Sequence, residues 1–297
     1  MQPTPPSSHT ATAANDATVP GARLATHVAR PLWRVLATSG YGLWTWLGLA
    51  LALGQVEGRS GTLVPLTVGL VLIGIGLVLA CLPGRGATRD WYGWQPRRDT
   101  RPTRAALLAF ATCLPMLAVA GLARGDNEFW ATRAVGALLA LCSAASLAYN
   151  NYSHRRRWLR PALSQPEPLP VRRLIFAAYA GGLWLWVCTL AQGLQGSPFT
   201  TAPWLGLLVG LALVLAVVES LGWRALGKRR PERTTPLRRH RGLVVVLGYG
   251  VPVLALLLGL RLSSPLPVAA LAVPCCLLGR WLEQRQFAAV RRSDTAR

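Results

Sequence analysis

The chain has 297 residues, of which 52% are hydrophobic and only 14% charged, with a mean hydropathy of +0.34 and a formal net charge of +21. A water-soluble domain carries nearer a quarter charged residues, so this balance excludes an ordinary soluble enzyme. It also leaves no folded soluble unit to use the positive charge for reading nucleic acid. Short alternating segments are absent, which excludes a β-barrel. Charge-free apolar runs of bilayer length recur instead, and these satisfy their backbone in lipid only as helices.

Residues 1–28 are rich in Pro, Ser, Thr and Ala without an apolar stripe, and read as a disordered tail. No short apolar region with a small-residue cleavage site comes early enough for a secretory signal. From there the sequence predicts an all-α integral membrane domain over 29–290. Its eight transmembrane helices lie at 33–54, 63–83, 104–123, 132–150, 173–193, 202–222, 242–260 and 265–282, followed by a flexible tail at 291–297. Four short connections alternate with long basic ones, giving four hairpins.

Of the 32 Lys and Arg, all but Arg59, Arg124, Arg133 and Arg261 fall on the side of the long connections and the two termini. Positive charge stays cytoplasmic, so both termini are expected inside a bacterial inner membrane, with the basic loops near anionic lipid. Trp33, Trp91, Trp94, Trp130, Trp158, Trp204, Trp223 and Trp281 fall near span ends, as an interfacial belt requires.

The spans are read as free of ionisable residues in their interiors. Glu219 falls in the last turn of the sixth, where a paired interfacial role is expected. That counts against a proton-coupled pump. His9, His27, His154 and His240 lie in the tail or loops, so no haem ligand is offered. The six cysteines lack CxxC spacing and read as small apolar residues. No metal set and no catalytic set is found; the chain is less an enzyme by itself than a non-catalytic partner. Gly206 and Gly210 form a GxxxG that favours close helix approach, and Pro115, Pro203, Pro252 and Pro274 are candidate kinks. GLWxW at 42–46 returns at 182–186; duplication of a hairpin pair and shared composition both account for it.

Three stretches carry a family likeness. PLWRVLATSGYGLWTWLGL at 31–49 resembles the first span of the membrane anchor subunit of dimethyl sulfoxide reductase. TPLRRHRGLVVVLGYGVPVLALLLGL at 235–260 is similar to that family's basic loop and seventh span, and LLGRWLEQRQF at 277–287 to the close of its eighth. The resemblance implies an anchor for an iron–sulfur electron-transfer subunit and a molybdopterin catalytic subunit. Such an anchor takes electrons from menaquinol and has no cofactor of its own. It also implies periplasmic termini, against the charge count of this chain.

In the family, a loop after the second span reads His-Leu-Gly-x-Pro-x-Arg-Ala-Trp, and its His serves quinol binding. Set on residues 83–91, that pattern keeps Arg89 and Trp91 but puts Pro83 at the His position and Arg85 at the Gly. A later Ser-Arg-Glu becomes Thr100, Arg101 and Pro102. The resemblance therefore leaves Arg89, Trp91 and Arg101 as a quinone-binding or partner-docking loop without a proton acceptor at Pro83. A stand-alone carrier or scaffold that has lost quinol chemistry is the alternative.

Overall fold

A computed structural model describes residues 20–56, 58–81, 104–123, 129–158, 170–194, 196–229 and 241–295. The helices are α1 (Pro20–Ala52), α2 (Gly58–Cys81), α3 (Arg104–Leu122), α4 (Trp130–Trp158), α5 (Pro170–Ala191) and α6 (Ala202–Arg229), with α7 (Arg241–Gly259) and α8 (Leu266–Thr295) closing the chain. No strand occurs among the described residues. Seven of these helices are long and apolar enough to cross a membrane; α3 offers the shorter apolar run Leu107–Leu122. The described helices are those of a multi-pass membrane protein. Helix α1 begins at Pro20, inside the stretch whose composition suggested a tail; proline suits a first helical turn because its missing N–H has no intrahelical partner there.

The centre of the bundle is α1, which packs on α2, α4 and α5. Glycine sets each approach. A Cβ on Gly42 would stand 1.9 Å from the Ala177 carbonyl oxygen of α5, and one on Gly181 would stand 2.2 Å from the Gly42 carbonyl carbon. Gly48 and Gly136 let α1 and α4 touch in the same way. These are backbone-to-backbone contacts, the kind that small residues permit between helices in lipid. By contrast, nothing among the described residues lies within 4 Å of a Cβ on Gly206 or Gly210, so the GxxxG of α6 holds none of the described helices.

The two halves of the chain pack by one scheme. In the first, α1 packs on α2 and α4, and α3 on α4; in the second, α5 packs on α6 and α8, and α7 on α8. Helices α1 and α5 also end alike. Gly54 (φ 67°) and Gly193 (φ 71°) adopt the left-handed conformation. Around them Gly54 N–H donates to Leu51 O and Gln55 N–H to Ala50 O, while Gly193 N–H donates to Leu190 O and Leu194 N–H to Thr189 O. Both are glycine caps of the Schellman type.

Counted back from these caps, Gly42 matches Gly181, one residue out of step with the repeated GLWxW. The tryptophans consequently meet different surroundings. Trp46 donates to Ala178 O of α5 at 2.7 Å, whereas its counterpart in the repeat, Trp186, is buried against Gly259 of α7.

The aromatic belt is only partly realised. Trp130 is 73% exposed and tilts against Phe129, as an interfacial residue should. Trp33, Trp204 and Trp223 are buried; their rings fill helix contacts, Trp204 against Trp46 (4.8 Å between centroids) and Phe199 (5.2 Å). In α7 the expected proline kink takes the form of a π-turn at Val246–Gly250, directly before Pro252. A proline ring crowds the carbonyl four residues back, here Gly248, and a widened turn relieves that clash.

Candidate functional site at the ends of four helices

Sequence reasoning placed no ionisable group in the span interiors and gave Glu219, in the last turn of its span, a paired role. Glu219 is paired as expected, but three further charges that were read as lying outside the spans join it within the helices. Arg172 in the first turns of α5, Glu219 in α6, and Arg280 and Glu283 in α8 are all buried and meet in one cluster. Arg172 and Arg280 had counted as loop charges because each stands at the edge of an apolar run.

Arg172 donates from Nε to Glu219 Oε1 at 3.0 Å and from Nη2 to Glu283 Oε1. Arg280 donates from Nη1 to Glu283 Oε2 at 2.6 Å and to Glu219 Oε1. Tyr249 OH, in the π-turn, donates to Glu219 Oε2, and Trp223 Nε1 donates to Glu283 Oε1 at 3.4 Å. Each carboxylate is therefore shared by both guanidiniums and takes one further donor.

Three local features bring these groups together. Arg280 and Glu283 are three residues apart in α8 and so share a helix face. Gly279 and Gly248 let α8 and α7 approach until a Cβ on Gly279 would stand 2.4 Å from Gly248 N, and the π-turn delivers the next residue, Tyr249, to Glu219. Phe176, one turn beyond Arg172 in α5, lies under the Arg280 guanidinium at 4.9 Å. An isolated ion in this place would be expensive. Two cations against two anions make the cluster neutral, and Tyr249 and Trp223 add hydrogen bonds to its carboxylates; Arg280 Nε has no hydrogen-bond partner among the described residues.

Chemically this is a clamp. A cavity of about 10 Å³ beside Tyr249, Arg280 and Glu283 has room for about one water. No group of three or more His, Cys, Asp or Glu suited to a metal occurs among the described residues. A second, larger recess of about 190 Å³ lies between α1, α4 and α5 and is lined by Gly42, Thr45, Trp46, Leu49, Leu147 and Leu174, among others. Its polar groups are already engaged: Thr45 Oγ1 donates to Tyr41 O and Trp46 Nε1 to Ala178 O at 2.7 Å.

Arg89, Trp91 and Arg101, with Pro83, Arg85, Thr100 and Pro102, lie outside the described residues. The cluster was missed because its four charges come from three sequence-distant segments. One signal was available: Glu219 stands within a stretch that is otherwise apolar, where an unpaired acid is costly.

No family model, curated protein or solved structure matches this chain.

Proposed function

We propose that this chain is the membrane anchor subunit of a dimethyl sulfoxide reductase-like molybdenum oxidoreductase, holding an iron–sulfur subunit and a molybdopterin catalytic subunit at a bacterial inner membrane. In this reading α3 completes eight crossings arranged as four hairpins, both termini are cytoplasmic, and menaquinol is the electron donor. Arg89, Trp91 and Arg101 line the quinone or partner-docking loop.

One observation carries the proposal. Two of the stretches that resemble the anchor family, the Gly-Tyr-Gly of α7 and the Gly-Arg-Trp-Leu-Glu of α8, supply Tyr249, Arg280 and Glu283 to the same buried clamp. A neutral, closely bonded lock between four helix ends suits a rigid platform. It does not suit a path along which an ion must move.

Isolation of the full chain from its native membrane in mild detergent tests this. Retention of an iron–sulfur and a molybdopterin subunit supports the anchor; a chain that purifies alone and does not respond to quinol analogues refutes it. The competing reading is a stand-alone carrier of an apolar solute, for which the recess between α1, α4 and α5 is the natural starting point. Reporter fusions after Arg160 and after Arg230 check the topology separately, and both should report the cytoplasm.

A further inference from the structure

Glu219 and Glu283 are both engaged by Arg172 and Arg280. Neither carboxylate is therefore left for the other cations described at that end of the bundle. Two of them are held in a definite way. The Arg241 guanidinium, at the start of α7, lies over the Trp223 ring at 4.8 Å from its centroid. The Arg285 guanidinium, near the end of its span in α8, lies over the Trp281 ring at 4.7 Å. Arg224, beside Trp223, is exposed at the same end of α6.

We propose that the ends of α6, α7 and α8 form a binding surface for anionic phospholipid headgroups, with Arg241 and Arg285 as the groups that take the phosphodiester. The level is fixed by the spans. Arg224, Arg241 and Gln286 bound the apolar segments of the three helices, so the guanidiniums stand where hydrocarbon gives way to headgroups. The chemistry fits as well. A guanidinium stacked on an indole keeps its N–H edge free and loses less freedom when it grips a phosphate, and its bonds to phosphate oxygens are charge-assisted and readily bidentate. Basic groups between transmembrane helices recognise anionic headgroups on this principle.

A soluble acidic protein is the other conceivable occupant of a basic surface. The arginines' place at the ends of the apolar segments favours the lipid, because these groups sit at headgroup depth. The proposal does not depend on the anchor reading.

The full chain, reconstituted in nanodiscs of equimolar phosphatidylglycerol and phosphatidylcholine and released into mild detergent, should retain phosphatidylglycerol in preference. Each arginine near an anionic surface is worth about a five-fold change in affinity, so R241Q/R285Q should lose about 25-fold of that preference. R241K/R285K, which keeps the charges and loses the planar fork, should retain most of it. Thermal midpoints of both variants within a few degrees of the parent establish that the bundle is intact. Should R241Q/R285Q still select phosphatidylglycerol as the parent does, the surface is not a lipid site. The same holds if the variant instead loses an acidic soluble subunit while its lipid selection is unchanged.

Discussion

Replacing Glu283 by glutamine tests the clamp where its connections are densest. Glu283 accepts from Arg280 at 2.6 Å, from Trp223 at 3.4 Å and from Arg172. Without its charge the cluster holds Arg172, Arg280 and Glu219 alone, a net charge of one in a buried place. Breaking one side of a buried pair costs about 3–5 kcal/mol. At about 2–4 °C per kcal/mol for a chain of this size, the thermal midpoint in detergent, followed by tryptophan fluorescence, should fall by about 6–20 °C.

The companion is R172Q/E283Q, which restores neutrality and leaves Arg280 facing Glu219. Coupled neighbours deviate from additivity by about 0.5–3 kcal/mol, and here the double variant should be more stable than the sum of the two singles by about 2 kcal/mol. An E283Q midpoint within about 2 °C of the parent, or strict additivity of the pair, would refute the view that these four charges act as a unit.

Three further outcomes follow from the packing. G42A pushes a methyl group into the Ala177 carbonyl and should cost about 3 kcal/mol or more, since a backbone has no rotamer to yield with; G206A, which meets nothing among the described residues, should be neutral or gain up to about 1 kcal/mol from helix propensity. Paired thermal melts of the two separate a working glycine contact from an idle motif. W44F removes the N–H that donates to Leu66 O while keeping most of the ring, and should lower stability by about 1–2 kcal/mol in the same melts. G193A forces a side chain into the left-handed region at φ 71° and should cost about 1–2 kcal/mol; an unchanged midpoint would show that the α5 cap relaxes freely.

The helices themselves were legible because charge-free apolar runs of bilayer length have few other fates in a folded chain. The ends were less so. Counting arginines by side assumes that each faces water, and Arg172 and Arg280 break that assumption by pointing into the bundle at the first or last turns of a span. A counting rule has no term for side-chain direction. Pairing of Arg172 with Glu283 across 111 residues has no local signature at all.

The glycines show a related limit. Gly206 and Gly210 carry the familiar spacing yet touch nothing among the described residues, whereas Gly42 and Gly181 have no shared spacing and meet at the centre. Which glycine matters is decided by the crossing, and a crossing joins two places in the chain. The GLWxW repeat is a third case. It lies in α1 and α5, whose caps align one residue away from the motif, so the repeated tryptophans do unlike jobs. As for Arg89, Trp91 and Arg101, their roles rest on the family resemblance alone.

Helices α5, α6 and α8 are tied by two positive and two negative side chains, and Tyr249 joins α7 to them. In an energised membrane the electrical force on a group scales with the charge it carries across the field, and for this quartet the forces cancel. Voltage therefore exerts no net pull on the quartet as a whole, so its depth in the bilayer should be alike in a resting and a fully charged cell.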